Sequence, residues 1–357
     1  MIVQESPPLV SIIIVNYNGE RFLERCLSSI LSSDYTNFEI IFVDNASTDK
    51  SIPLAKKYLN APSHKLIINP KNLGHSEGNN IGIKVAKGKY IVFLDNDIEV
   101  EKNWLKELVK IMESNPKVGA AQPTLLLNND FIWATGAYID RLGWVLLDNY
   151  FERNKEQDNC IKEIFSGISA ALIVRRNVLK EIGGFDSDFF VYYNDLDLCW
   201  RMKLKGYKVV TVPQAIVYHK LEFGKKSLDK RTLLFHYVKN SFIMLIKNYE
   251  SRNLYRYLPL TIISRLFFAA KRERFLITIK ALLWIILNFK KIWLKRLLVQ
   301  YFLRSIPDSV VMKHMLHVNI FPKYVAYWFF HYRHNFRLHD FQLFLNRIFI
   351  RRPRKSC

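Results

Sequence analysis

The chain has 357 residues, half of them apolar, enough to bury a core in one large domain and a second region, which excludes a disordered or fibrous protein. Its formal net charge of +21 would suit a nucleic-acid binder, but residues 1–219 hold 25 Lys and Arg against 26 Asp and Glu, whereas residues 220–357 hold 28 against 6. All of the excess is C-terminal, where the basic residues alternate with apolar stretches instead of forming a polar arm, so no nucleic acid is expected as partner.

Val10 to Val15 is a β-branched run that ends at Asn16, followed by a helix with Phe22, Leu23, Cys26, Leu27 and Ile30 on its apolar face. Phe38 to Val43 reads as a second strand ending at Asp44, and Lys65 to Ile68 as a third. Gly74, Gly78 and Gly82 punctuate a polar connection that opens a helix reaching Lys87. Tyr90 to Leu94 is a fourth strand, ending at Asp95, and Trp104 to Met112 is another amphipathic helix. Strands alternating with helices predict an α/β domain over residues 1–235, with a mostly parallel sheet flanked by helices.

Residues 236–357 read as a basic, amphipathic helical region. Phe275 to Phe302 sets Lys280, Lys290, Lys291, Lys295 and Arg296 among Ile, Leu and Trp, which suits an anionic membrane surface. No run reaches the ~18 uncharged residues of a membrane span. The N-terminus has neither a basic n-region nor an apolar h-region. The expected location is therefore peripheral, on the cytoplasmic face of the cell membrane. A helical dimerisation region with a basic outer face is the other reading of this segment, so oligomers could form through it.

In an open parallel sheet, ligands bind beyond the C-terminal strand ends, where Asn16, Asp44 and Asp95 are expected to converge. No G-x-G-x-x-G follows the first strand and no G-x-x-x-x-G-K-[ST] occurs, which excludes the usual dinucleotide site and P-loop. Asp95 and Asp97 lie two residues apart after an apolar strand. They could share Mg2+ or Mn2+ bridging a diphosphate, or belong to a solvated turn. Asp195 and Asp197 sit among Tyr192, Tyr193, Leu196, Leu198 and Trp200, where a desolvated carboxylate must be paired, hydrogen-bonded or protonated. Asp197 can pair with Arg201 four residues on, leaving Asp195 as a base; the plainer reading makes both structural. His219 ends the strand-like run VVTVPQAIVYH and is either a ligand for the same metal or a core histidine.

Taken in order, SIIIVNYNG (11–19), VDNASTD (43–49), NLGHSEGNNIGI (72–83), FLDND (93–97), GGFDSDFFVYYNDLDLCWR (183–201) and GYKVVTVPQAIVYH (206–219) resemble the family 2 glycosyltransferases of GT-A fold. The likeness extends to the rhamnosyltransferase-like branch of bacterial surface polysaccharide synthesis, and the basic C-terminal region is similar in character to its membrane-associated extensions. The resemblance implies an inverting, metal-dependent enzyme that moves a sugar from a nucleoside-diphosphate donor, dTDP-rhamnose being the first guess, to a lipid-linked or saccharide hydroxyl. It implies that Asp44 contacts the nucleobase or ribose, and that Asn72, Gly74 and Asn79 line the nucleotide side together with the strand-end Asn16. Asp95 then meets the ribose or a metal-bound water, Asp97 and His219 hold Mg2+ or Mn2+, and Asp195 is the general base. Relatives often carry an acid immediately before this base, where this chain has Asn194. The competing readings are a sugar-nucleotide nucleotidyltransferase, which would need a glycine-rich basic loop where this chain has Asn16 to Gly19, and a non-catalytic membrane-tethered nucleotide-binding protein.

Overall fold

A computed structural model describes residues 6–127, 131–154, 159–220, 229–269 and 272–316. Val10–Asn16 (β1), Phe38–Asp44 (β2), Lys65–Ile68 (β3) and Tyr90–Asp95 (β4) pair in parallel in the order β3-β2-β1-β4. The connecting helices are Glu20–Leu31 (α1), Ser51–Tyr58 (α2) and Gly74–Val85 (α3). Ile12, Ile13 and Ile14 are all fully buried, which is why β1 reads as an unbroken apolar run instead of an alternating one. This half of the sheet matches the expectation from sequence.

The other half does not, and the sheet as a whole is mixed instead of mostly parallel. Ile98–Val100 (β5) and Trp104–Ser114 (α4) lead to Val118–Leu126 (β6), which carries the short antiparallel Ile132–Ala134 (β7). A hairpin of Ala137–Ile139 (β8) and Val145–Leu147 (β9) follows. The chain then returns along the C-terminal ends of the strands, where Asp95 N–H donates to Ala170 O at 2.9 Å. Ala171–Arg175 (β10) therefore enters beside Leu94 and runs down to Tyr90, antiparallel to both β4 and β6. Entry from the site side forces the reversed direction. After Arg176–Ile182 (α5) and Asn194–Lys205 (α6), Lys208–His219 (β11) pairs parallel to β6 and antiparallel to β5.

Lys230–Asn248 (α7), Ser251–Phe268 (α8), Arg272–Leu287 (α9), Phe289–Leu297 (α10), a π-helical segment Leu298–Leu303 and Asp308–Val311 (α11) complete the described chain. Residues 317–357, part of the expected C-terminal region, lie outside the described residues. The boundary read at 235/236 falls inside α7, whose C-terminal half is buried against the sheet domain. Many basic residues of this region face inward. Lys247 and Lys295 reach Asp186, Lys291 and Lys295 reach Asp188, and Arg296 donates to the carbonyls of Ile246 and Tyr249. Burial opposes ionisation of Asp186, but Lys247 and Lys295 outweigh it and hold the carboxyl well below the usual range. Two helices beyond the sheet, α7 and α10, are thus tied to the loop that precedes α6.

The tightest knot is Asp197. It is fully buried, and it accepts from Arg201 Nε at 2.9 Å, Lys247 Nζ at 3.1 Å and Asn248 Nδ2 at 2.9 Å. The pairing of Asp197 with Arg201 foreseen from the spacing is present, with a second cation added from α7. Removing one partner of a buried ion pair costs about 3–5 kcal/mol because the others lose their counter-charge. Asp197→Leu should therefore lower the unfolding free energy by about that amount, read as a fall in the urea midpoint at an unchanged m-value by circular dichroism.

Candidate active site

Three chain segments bring the acidic cluster together. β4 ends at Asp95, the chain turns through Asn96 and Asp97 into β5, and β5 pairs with the end of β11 so that His219 stands opposite Ile98. His219 Nε2 lies 3.2 Å from Asp97 Oδ1. Asp95, Asp97 and His219 each offer a ligand atom, all within 4.8 Å of one another. Two carboxylates and an imidazole form a donor set that fits Mg2+ or Mn2+, a cofactor these residues would hold. The imidazole is buried edge-on against Trp133, 4.3 Å between centroids, which fixes its plane while the carboxylates stay partly open to solvent.

Behind the cluster, the ends of β1 and β2 form a closed polar network. Asn16 Nδ2 donates to Asp44 Oδ1 at 2.8 Å, and Asn96 Nδ2 donates to Asn16 Oδ1 at 2.6 Å. Ser47 completes the set with its N–H on Asp44 Oδ2 and its hydroxyl on Oδ1. Asp44 and Asn16 are wholly buried and brace the strand ends. Asn72 Oδ1 accepts from Gly74 N–H at 2.9 Å and shapes the entry to α3. Gly74 has φ +80° and passes so close to Phe190 that a Cβ would lie 2.5 Å from its ring. Asn79 is buried one turn later, with its amide donating to His75 O at 2.9 Å and its Oδ1 unpartnered.

His75, which the sequence reading passed over, stands between the two halves of the site. Its Nε2 is 3.3 Å from Asp95 Oδ1, and the Asn194 amide nitrogen is 2.8 Å from its Nδ1. Burial opposes a charge on this imidazole, but Asp95 and Asp195 outweigh it and raise the group above its ordinary value. Position is the signal that could have found it: a titratable side chain in the first turn of a helix that opens toward the strand ends.

Asp195 occupies the first turn of α6. Its Oδ1 accepts from Leu196 N–H at 2.8 Å and its Oδ2 from Ser169 N–H at 3.3 Å, at the start of the segment leading into β10. Burial raises its carboxyl above the usual range despite these hydrogen bonds and the His75 ring. The two residues before α6 are strained. Tyr192 and Tyr193 both lie in the left-handed region, at φ 64° and 63°, which non-glycine residues seldom adopt. α7 and α8 over-determine them: Asn240 Nδ2 donates to Val191 O and Tyr192 O, and Arg265 donates to Tyr193 Oη at 3.1 Å. The structure thus unites Asp95, Asp97 and His219 directly, and joins Asp195 to them through Asn194 and His75.

A mixed sheet of this order, with an acidic pair beyond a parallel strand and a lone acid on a later helix, defines a GT-A-like domain. Residues 11–183 match the model of glycosyl transferase family 2. Among curated relatives, the O-antigen biosynthesis protein RfbC of Myxococcus xanthus is 30% identical over 59% of this chain, which spans 17% of that protein. An uncharacterised protein of Sinorhizobium fredii is 30% identical over 60% of the chain, which spans 25% of it. Among solved structures, GalNAc-T7 with UDP, GalNAc and Mn2+ shares the fold at a TM-score of 0.59 and 18% identity, over 75% of this chain and 52% of that one. The mannosyltransferase PcManGT of Pyrobaculum calidifontis with GDP-Man and Mn2+ does so at 0.54 and 15%, over 98% and 89%.

The cluster predicts its own metal dependence. With UDP, GDP or dTDP present, Asp97→Ala should abolish calorimetric binding of Mn2+. His219→Gln should weaken it by at least about tenfold, the lower end of the loss seen even for outer-shell partners.

Proposed function

We propose that the protein is an inverting, metal-dependent glycosyltransferase that moves a sugar from a nucleoside-diphosphate donor to a hydroxyl of a saccharide or lipid-linked acceptor in cell-surface polysaccharide synthesis. The observation that carries this reading is the division of labour in the crevice. A metal-type cluster of Asp95, Asp97 and His219 stands on one side, and a separate carboxylate, Asp195, with its affinity for protons raised by burial, stands on another element. The acceptor oxygen attacks the anomeric carbon, the bond from that carbon to the diphosphate oxygen breaks, and the acceptor proton passes to Asp195. A divalent cation, when bound, supplies positive charge next to the departing diphosphate. A single displacement of this kind inverts the anomeric centre.

Two structural neighbours, one with UDP, GalNAc and Mn2+ and the other with GDP-Man and Mn2+, agree with a nucleotide-sugar donor and leave the base open. The name of the Myxococcus relative supports a polysaccharide acceptor. A dTDP-rhamnose donor remains the first to try. The nucleotidyltransferase reading loses ground on one feature: the amides after β1 are already used, Asn18 N–H by Ser47, Gly19 N–H by Ser51 and Glu20 N–H by Asp49. No phosphate cradle is left there.

We also assign the cytoplasmic face of an anionic membrane as the enzyme's seat. Among the described residues, 15 of the 19 exposed large apolar side chains lie between Tyr255 and Phe302, so one region holds nearly all of this surface. Residues 251–304 carry twelve Lys and Arg and the single acid Glu273, with Arg252, Arg256, Arg274, Lys280 and Lys290 exposed beside the apolar groups. None of the described helices is long and apolar enough to cross a membrane.

Three outcomes are expected. A screen of UDP-, GDP- and dTDP-sugars should return a donor whose transfer stops with chelator, and turnover that survives saturating chelator overturns the metal-dependent reading. Asp195→Asn should cost about 10²-fold or more in kcat with nucleoside-diphosphate affinity kept, and the wild-type rate should fall as pH drops through a value above the ordinary aspartate range, since only the ionised carboxylate accepts a proton. Vesicles rich in anionic lipid should sediment the protein at low salt, and Leu287→Glu with Phe302→Glu should release it; no sedimentation removes the membrane assignment.

A further inference from the structure

We propose that His75 is a positioning residue for acceptor activation, its imidazole bridging the Asp95 carboxylate and the Asn194 amide so that the base-bearing turn of α6 keeps a fixed place relative to the leaving-group side. The proposal rests on the transferase reading above and deepens it. Its starting point is that the ring nitrogens face opposite halves of the site: Nε2 lies 3.3 Å from Asp95 Oδ1 and Nδ1 lies 2.8 Å from the Asn194 amide nitrogen, while Asn79 Nδ2, one turn on along the same helix, lies 3.2 Å from both. With the Nε2–H turned to the carboxylate, Nδ1 is left to accept from the amide. A protonated ring keeps the same bridge once the Asn194 amide turns to present its oxygen.

The bridge is not needed to hold α3. That helix start is already secured by Asn72 on Gly74 N–H, by His75 N–H on Phe190 O, by the Ser76 hydroxyl on Phe189 O and by Asn80 on both polar groups of the Phe185 backbone. The imidazole therefore adds little to the anchoring of its own element. What it adds is a connection between two carboxylates with different tasks, carried on two elements far apart in sequence. Asn194 meets the ring without setting a second negative charge beside Asp195, which would further raise its proton affinity. The left-handed Tyr192 and Tyr193 just upstream show how closely this turn is constrained, and a shift of about 1 Å in such a turn can cost 10²-fold in rate.

The test uses the full chain, the donor returned by the screen, and calorimetry with the matching nucleoside diphosphate and Mn2+. His75→Leu removes the ring's polar contacts to Asp95, Asn194 and Asn79 at similar bulk. It should lower kcat by about 10²-fold and change nucleoside-diphosphate affinity by less than about threefold. His75→Gln, whose amide again offers one donor and one acceptor, should recover most of the loss, a rescue that simple space-filling does not predict. Asn194→Leu should reproduce the loss in kcat, and the double variant should be no slower than either single one, since one bridge is cut in each case. Melting temperatures identify a variant that fails to fold, and Asn194→Leu then carries the test in its place. Wild-type kcat in His75→Leu, with Asp195→Asn inactive, overturns the proposal and leaves the transferase reading standing. So does a loss expressed mainly as weaker nucleoside-diphosphate binding, which would make His75 a donor contact. Activity of Asp195→Asn overturns both.

Discussion

A carboxylate that meets no water must be surrounded by donors and cations, and the rest of the site depends on how this chain meets that requirement at Asp197. Arg201 takes its charge within α6 and also donates to the carbonyls of Ile182 and Gly184, fixing the turn before the GFDSDFF loop. Lys247 adds a second charge and reaches Asp186 in that same loop. The rotation of α6 about its axis is thus set from behind, and with it the direction of Asp195, two residues earlier and on the opposite side of the helix. Such an arrangement gains little net free energy over an apolar one, but it tolerates few alternative placements.

The side that carries Asp95 and Asp97 is fixed by different means. Asn16, Asp44, Asn96 and Ser47 satisfy one another beneath the cluster, so the ends of β1, β2 and β4 hold a common level before any ligand arrives. Polar groups buried among strand ends are costly when unpaired, and these are paired. Asp95 and Asp97 stand one layer further out, partly exposed, where a cation can compete with water for them. The strand-end positions foreseen as ligand contacts thus lie at two depths, Asn16 and Asp44 buried and Asp95 and Asp97 partly exposed above them. Residue type and position at a strand end could not separate these two, since the difference is one of depth.

The parallel half of the sheet was legible because its strands are unbroken β-branched runs that terminate in polar residues. The reversed half was not, because the direction of β10 depends on the path taken by residues between β9 and Ala171, a stretch with no periodic signal. His219 was legible as the end of a strand, and its place beside Asp97 follows from β5–β11 pairing that the sequence does not announce. His75 was hidden for a related reason. Its two partners come from β4 and α6, so its meaning is a product of tertiary structure, and a lone histidine in a glycine-rich segment carries little weight by itself.

The C-terminal charge excess changes meaning once the side chains are placed. Read from the sequence, the basic residues form one cationic surface. In the structure Lys239, Lys247, Lys291, Lys295, Arg296 and Arg304 are committed to carboxylates or carbonyls within the protein, and Arg265 is buried against the Trp144 ring. Long side chains with charged ends can cover apolar surface and still reach a partner, which is how α10 turns Lys291 and Lys295 toward Asp188 while Trp293 and Leu294 stay exposed. One short helix therefore has a polar hold on the loop before Asp195 and an apolar surface facing out. A bilayer seated on that surface and an acceptor presented to Asp195 would meet the same rigid unit, so under the proposed reading the geometry of attachment and the placement of Asp195 need no separate alignment.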